Sequence, residues 1–181
     1  SERISNAFVA YVIYIRQMFW PAGLAVFYPH PENRLSAWEI SLAFIILVGI
    51  TLAALLFRNK SPYFVTGWLW YLGMLVPVIG FVQVGWQGHA DRYTYLPQIG
   101  LYIAVTWAVS DWSRSWRFQR IILGTATALI VGALSWCAWL QTSHWRDSET
   151  LFTRALTVTR NNDVALNNLG IIFLDKGQLD E

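Results

Sequence analysis

The stretch Gly85-Trp-Gln-Gly-His-Ala-Asp-Arg-Tyr-Thr-Tyr-Leu-Pro97 separates two apolar segments that are each near the length of a membrane helix. Seven consecutive residues of it carry a His, an Asp, an Arg and two Tyr. Ionisable groups at the mouth of a membrane bundle are costly to desolvate and usually serve a function. One interpretation is therefore a chemical site, whose candidate residues are His89, Asp91, Arg92, Tyr93 and Tyr95.

A second interpretation is a purely structural turn. In it, Asp91 pairs with Arg92, because ion pairs in ordinary turns also cluster charge. The aromatic side chains would then anchor the turn at the lipid headgroups. These aromatic residues are Trp86, Tyr93 and Tyr95.

The composition indicates a membrane protein that carries a soluble part. Hydrophobic residues make up 55% of the 181 residues and charged residues only 13%, which is too apolar for an ordinary soluble domain. Eleven Trp suit a water–lipid boundary. The net charge of +2 comes without a basic run that would suggest nucleic acid, and the single Cys137 excludes an intrachain disulfide.

We predict an all-α fold, in which a membrane bundle occupies residues 37–143. Its four spans are expected at about residues 37–57, 62–84, 96–112 and 121–140. In the second span we expect a kink at Pro77 and close helix contacts at glycines 67, 73 and 80. In the fourth, Gly124, Ala128 and Gly132 form a stripe of small residues.

Residues 1–36 are predicted to form an interfacial helix followed by an extracytoplasmic loop. The helix, at about residues 4–20, places Ser5 and Asn6 about three turns from Arg16 and Gln17, which gives a narrow polar strip. The alternative is a true span in which Arg16 reaches back to the surface.

The basic residues indicate an orientation. They concentrate in two of the connections, at Arg58 and Lys60 and again at Arg114, Arg117 and Arg120. The positive-inside rule places both connections in the cytoplasm. The Asp91 loop, the N-terminal arm and the C-terminal tail are then expected outside.

Residues 144–181 change to a soluble helical pattern. Asp147 is expected to cap one helix, which runs to about Arg160, and Asn162 the next. The pattern matches a second and a following first helix of a tetratricopeptide (TPR) repeat, with the offset that a period of about 34 residues requires. The matching residues are Ser148, Phe152, Ala155, Leu166, Leu169, Gly170, Phe173 and Gly177. The alternative is a generic amphipathic hairpin. We expect further repeats after Glu181, since the two half-repeats cannot bury a core alone.

Three stretches together carry a family resemblance: Ala90-Asp-Arg-Tyr-Thr-Tyr-Leu-Pro97, the loop from Trp20-Pro21 to Pro31, and Trp145-Arg-Asp-Ser-Glu-Thr-Leu-Phe152 followed by Asn167-Asn-Leu-Gly170. Across essentially its whole length the chain resembles bacterial membrane proteins with C-terminal TPR repeats. These are similar to the transmembrane-and-TPR O-mannosyltransferases of the GT-C glycosyltransferase superfamily.

The resemblance implies transfer of a sugar, typically mannose, from a polyprenyl-phosphate carrier to a protein hydroxyl on the extracytoplasmic face. It implies a bacterial inner membrane, protein partners for the repeats, and an acidic catalytic motif that we expect upstream of Ser1. Asp91 is not that motif. Arg92 is a candidate for the lipid phosphate, with Asp91 orienting it, while His89, Tyr93 and Tyr95 are candidates for hydrogen bonds or sugar stacking.

Two further functions compete with this one. A non-catalytic membrane scaffold would use the bundle only to anchor a repeat array that binds partners. A transporter is disfavoured, because no charge sits in the middle of a span and no inverted repeat is visible. We expect no metal site, since His30, His89 and His144 lie in separate loops without ligand-spaced partners. No cofactor is indicated; the lipid-linked sugar is a substrate.

Overall fold

The computed structural model of the chain describes residues 2–29, 35–79 and 87–177. Within these ranges the chain is overwhelmingly helical, as predicted, and its elements are α1 (Glu2–Phe19), β1 (Tyr28–Pro29), α2 (Ala37–Leu56), α3 (Pro62–Leu75), β2 (Gln87–His89), α4 (Tyr95–Trp112), α5 (Gln119–Thr142), α6 (Ser148–Val158) and α7 (Asp163–Asp175). The two strands form one short antiparallel ladder. The chain divides into two compact units, Ser1–Ala108 and Val109–Glu181.

Two helices in the described ranges are long and apolar enough to cross a membrane, by length and composition: Ala37–Leu56 and the stretch Gln119–Trp145. Only 17% of the apolar window of the first helix is buried, and none of the second. A core helix of a soluble protein would be mostly buried. Apolar helices of this length with exposed faces instead suit contact with lipid. Both helices support the prediction of a membrane protein.

The second predicted span differs from expectation at Pro77. Instead of a kink, α3 ends at Leu75. Proline has no N–H, so position 77 cannot bond to the Gly73 carbonyl, and the N–H of Val76 donates to that carbonyl instead, at 3.3 Å. The chain then continues in a turn to Ile79, and residues 80–84 of the predicted span lie outside the described ranges.

Glycine allows one close helix contact in the first unit. A Cβ on Gly67 would lie 2.2 Å from the carbonyl oxygen of Gly100, and a Cβ on Gly100 would lie 2.3 Å from that of Gly67. α3 and α4 therefore cross backbone to backbone, which confirms the expectation for Gly67. A Cβ on Gly73 would meet no atom within 4 Å, so the expectation there was wrong. Gly80 lies outside the described residues.

The stripe of small residues on α5 does not mark a contact in this structure. A Cβ on Gly124 or on Gly132 would meet no atom within 4 Å. The α5 side chains are exposed along nearly the whole helix. Within the second unit the stripe therefore lies on an open apolar face.

The core of the first unit joins α1 to α2 and α3. α1 packs along α2 and turns one face inward, at spacings of three and four residues. The buried residues of this core are Ala7, Ala10, Tyr11, Tyr14, Leu47, Ala54, Trp68, Tyr71, Leu75 and Ile79. The polar strip predicted on α1 is split by this packing. Arg16 is exposed, but Asn6 is buried and Gln17 is half-buried.

In the second unit, α6 and α7 pack as a helical pair through Ala155 and Ala165, both with 0% exposure. Both predicted caps are confirmed. The Asp147 carboxylate accepts from the Thr150 N–H at 2.8 Å, and the Asn162 side-chain oxygen accepts from the Ala165 N–H at 3.0 Å.

The predicted repeat residues divide by exposure. Ala155 is buried; Phe152, Leu169 and Phe173 are half-buried; Ser148, Leu166, Gly170 and Gly177 are exposed. Gly177 follows α7 with φ of 72°, a backbone conformation that favours glycine at a helix end. A packed helical pair is common to TPR repeats and generic hairpins, so the repeat assignment stays a prediction.

Candidate functional site

The two-stranded ladder brings β1 against the strand that precedes the Asp91 turn. The segment from α1 to β1, Glu2–Pro29, is called the arm below. β1 pairs antiparallel with β2, with Tyr28 opposite His89 and Pro29 opposite Gln87. β1 follows α1, and β2 immediately precedes the Asp91 turn. The ladder therefore places side chains of the arm beside the candidate site.

Asp91 is held by two side chains from this arm. The hydroxyl of Tyr28 donates to Oδ2 at 2.9 Å, and the amide Nε2 of Gln17 donates to Oδ1 at 3.0 Å. Burial raises the pKa of Asp91 above its ordinary value, while hydrogen bonding by Tyr28, Gln17 and the Ala25 backbone acts in the opposite direction. Both carboxylate oxygens thus point into the protein.

The backbone just before Asp91 is fixed by Tyr14. Its hydroxyl accepts from the Ala90 N–H at 3.0 Å and donates to the Ala90 carbonyl at 3.2 Å. Both polar groups of this buried residue are therefore bonded to one side chain of α1.

His89 lies between two tyrosine rings. It stacks on Tyr28 with ring centres 4.1 Å apart and meets Tyr14 edge-on at 6.0 Å. Burial lowers the pKa of His89 to about 4. The imidazole is consequently neutral at pH 7 and serves here as an aromatic packing group.

The turn itself is a 3-10 helix, Asp91–Thr94, that leads directly into α4. The Thr94 hydroxyl donates to the Asp91 carbonyl at 2.7 Å and closes the turn. Residues three apart in a 3-10 helix eclipse one another, so Arg92 and Tyr95 share a side. Both are exposed, Tyr95 to 76%.

Tyr93 points the other way, onto the core of the first unit, where it is half-buried. The guanidinium carbon of Arg92 lies 5.2 Å from the centre of the Tyr93 ring, a cation–π distance. The ring thus supports the guanidinium from one side. A planar guanidinium that also reaches solvent can bind two oxygens of a phosphate.

The structure therefore divides the five sequence-predicted candidates into two sets. His89, Asp91 and Tyr93 face the protein; Arg92 and Tyr95 face outward. Their roles toward a substrate stay predictions.

Sequence reasoning missed three residues that build the site: Tyr14, Gln17 and Tyr28. They lie 76, 74 and 63 positions from their partners at residues 90 and 91. Gln17 was noticed only as part of a polar strip. A single sequence carries no local signal for such distant pairs.

Comparison with known proteins gives two similar proteins, both from Drosophila melanogaster. The protein O-mannosyl-transferase Tmtc2 is 27% identical over 139 residues, which is 77% of this chain and 13% of the relative. The protein O-mannosyl-transferase Tmtc1 is 32% identical over 107 residues, 57% of this chain and 11% of the relative. The chain thus matches about an eighth or less of the length of either relative. No model of a known protein family matches the chain, and no solved structure matches it.

Both matches must include the Asp91 turn. A continuous stretch of 139 residues in a chain of 181 leaves 42 residues over, so it always contains residues 43–139. Coverage of 57% corresponds to about 103 residues, which leaves about 78 over, so the second match always contains residues from about 79 to 103. The similarity to these transferases therefore extends through the Asp91 turn.

Proposed function

We propose that the chain is part of a membrane glycosyltransferase that moves mannose from a polyprenyl-phosphate carrier to a protein hydroxyl. The observation that carries the proposal is the similarity to two protein O-mannosyl-transferases across the Asp91 turn. Their names give the sugar and the class of acceptor. The lipid phosphate donor and the GT-C type of bundle come from the family resemblance.

In the proposed reaction, the acceptor hydroxyl oxygen attacks the anomeric carbon of the sugar. The bond from that carbon to the phosphate oxygen breaks, and the polyprenyl phosphate leaves with the electron pair. A base elsewhere in the full-length protein takes the hydroxyl proton; we do not assign it to Asp91, because that carboxylate is already bonded by Tyr28 and Gln17.

Arg92 is assigned to the leaving phosphate. Negative charge collects on this group as the bond breaks, and a positioned guanidinium stabilises it more in the transition state than in the ground state. Tyr95, on the same side of the turn, is placed to add a hydroxyl bond or to stack on the sugar. Trp70 steadies the start of α4 beside it, since the indole N–H donates to the Leu96 carbonyl at 2.9 Å.

The test is transfer by the purified full-length protein, supplied with radiolabelled polyprenyl-phosphate mannose and acceptor protein. Arg92→Ala should lower transfer by about a hundredfold, the usual order for loss of one electrostatic contact to a developing charge. The matched control is Arg58→Ala, an exposed arginine in a different connection. Transfer that is unchanged by Arg92→Ala would remove Arg92 from the mechanism.

The proposal includes a membrane arrangement. α3 and α4 are 14 and 18 residues long, about 21 and 27 Å at 1.5 Å per residue, against a hydrocarbon core of about 30 Å. We propose that they cross the membrane beside α2 as the second and third spans, with α5 as the fourth. Since α1 packs along α2, its packing favours the alternative of a helix beside that span over the interfacial position. The Asp91 turn and α6–α7 are proposed to lie on the extracytoplasmic side of a bacterial inner membrane.

An impermeant thiol reagent tests this topology. Cysteines introduced as Thr94→Cys and Gln178→Cys, in a background where Cys137 is replaced by Ser, should both react in intact cells. Lys60→Cys should react only after the cells are opened. Labelling of the first two positions from opposite sides would contradict the arrangement.

The competing function is a membrane-anchored TPR scaffold that binds protein partners without catalysis. It is favoured by the packed pair α6–α7, which offers a helical surface for partners whether or not the turn is catalytic. The transfer assay separates the two. A scaffold shows no labelled product with wild-type protein, whereas the proposed transferase does.

A further inference from the structure

We infer that Tyr28 is a positioning residue for the donor phosphate: through its bond to Asp91, it sets the turn that presents Arg92. This inference rests on the proposed function. It is carried by the arrangement of three side chains of the arm around residues 89–91.

Tyr28 is itself held from three directions. Its hydroxyl accepts from the Ala25 N–H at 2.8 Å, its ring stacks on His89 at 4.1 Å, and its backbone belongs to the ladder. The hydroxyl proton has two acceptors in reach, the Asp91 carboxylate at 2.9 Å and the Gly23 carbonyl at 3.3 Å. The carboxylate is the closer and the stronger acceptor, because hydrogen bonds to ionised groups are the stronger ones.

Asp91 transmits this position to the turn. It is the first residue of the 3-10 helix, and its carbonyl accepts from Thr94. The preceding residue, Ala90, is fixed by Tyr14. Two consecutive residues at the start of the turn are thus bonded to the arm, and Arg92 is the next residue. A shift of Asp91 would move Arg92 relative to the membrane surface.

A packing role alone does not explain why residue 91 carries a carboxylate. Burying it costs desolvation free energy, and an apolar side chain of similar volume would avoid that cost. Two donors aimed at separate oxygens instead define both the direction and the rotation of the Asp91 side chain. Such orientation is what a contact to a phosphate at fixed depth requires.

The test is a double-mutant cycle on donor binding, with full-length protein in lipid nanodiscs and polyprenyl-phosphate mannose as the probe. Tyr28→Phe removes the hydroxyl and keeps the ring that stacks on His89. We expect it to weaken binding about fivefold in the wild-type background and less than twofold in the Arg92→Ala background, since residues that act through one another are not additive. A purely structural role would give the same factor in both backgrounds and would overturn the inference.

Tyr11→Phe is the matched control. It removes a hydroxyl bond of the same length, 2.9 Å, to the Leu72 carbonyl, away from the turn. Its donor affinity should stay at the wild-type value. If Tyr28→Phe does not fold, Gln17→Met removes the other donor to Asp91 with little change in volume, and it should show the same coupling to Arg92→Ala. Absence of coupling in the variant that folds overturns the inference.

The cycle also separates this inference from the proposed function. If Arg92→Ala binds the probe as tightly as wild type, the proposed phosphate contact fails and the positioning role fails with it. If Arg92→Ala loses affinity while Tyr28→Phe and Gln17→Met keep it, the phosphate contact holds and only the positioning role is wrong.

Discussion

The hydroxyl of Tyr28 lies 2.9 Å from the carboxylate of Asp91, although 63 positions separate the two residues along the chain. This bond ties the loop after α1 to the turn before α4. It lies next to the stacked pair of Tyr28 and His89 and the bonds of Tyr14 to Ala90. Together these contacts make a small polar cluster in the first unit, and Arg92 is its exposed neighbour.

Tyr14→Phe should destabilise the first unit. It leaves the N–H of buried Ala90 without its acceptor, while the Ala90 carbonyl keeps its bond from the Tyr93 N–H at 3.0 Å. An unsatisfied buried group costs about 1–3 kcal/mol. The measurement is the free energy of unfolding in mixed micelles, followed by circular dichroism. Tyr102→Phe, which removes an exposed hydroxyl bond to Gln98, is the control and should change it little.

His89→Phe should flatten the acid side of the stability profile. The unfolded histidine has a pKa of about 6.5, and the folded one about 4. Between these values the unfolded state binds more protons, so the free energy of unfolding falls as pH drops from 6.5 to 4. The full effect is about 3 kcal/mol.

The Phe variant keeps the ring that stacks on Tyr28 but cannot titrate. Asp91 works against His89, because its raised pKa means that the folded state holds a proton more readily as pH falls. Comparing wild type with His89→Phe at each pH cancels that contribution. If the free energies of unfolding of wild type and His89→Phe changed in parallel between pH 7 and pH 4, His89 would not be buried as described.

Gly67→Ala should disrupt the crossing of α3 and α4. The added Cβ would lie 2.2 Å from the Gly100 carbonyl oxygen, so the backbones must separate. Overpacking of this kind costs about 1–3 kcal/mol. Gly73→Ala on the same helix meets no atom within 4 Å and should stabilise by up to about 1 kcal/mol through helix propensity. Equal effects at the two glycines in an unfolding titration would refute the close crossing.

Ile130→Arg should hinder membrane insertion of α5. Ile130 lies near the middle of the helix and is 59% exposed, so an arginine there would face lipid. The cost is about 2.5–3.5 kcal/mol on insertion scales. Glycosylation sites placed on either side of α5, in a microsomal translation assay, report the inserted fraction. Thr153→Arg on α6 is the control. Unimpaired insertion of Ile130→Arg would argue against α5 as a span.

Asn162→Ala should loosen α7. The side chain is 1% exposed and caps the helix by accepting from the Ala165 N–H. Loss of such a cap costs about 0.5–2 kcal/mol. Hydrogen exchange of the α7 amides should accelerate accordingly. Asp147→Ala removes the exposed cap of α6 and should have the smaller effect. The ranking would be reversed if Asp147→Ala accelerated exchange of the α6 amides more than Asn162→Ala accelerated exchange of the α7 amides.

The sequence by itself determined the features that depend on near neighbours. Apolar runs of sufficient length located α2 and α5 as helices long and apolar enough to cross a membrane, because length and hydropathy are local properties. Asp147 and Asn162 marked helix starts, because a cap bonds to a backbone N–H three residues away. The Asp91 turn stood out because its charges contrast with the apolar chain around it.

Only the tertiary structure decided which side of each element meets which partner. It turned Gln17 toward Asp91, placed Tyr28 opposite His89, and left the glycines of α5 without a contact inside the second unit. A pair such as Tyr28 and Asp91 forms because packing of α1 and pairing of the two strands bring distant segments together. The free energy of that packing is shared over many residues, so no local pattern in the chain records the pair.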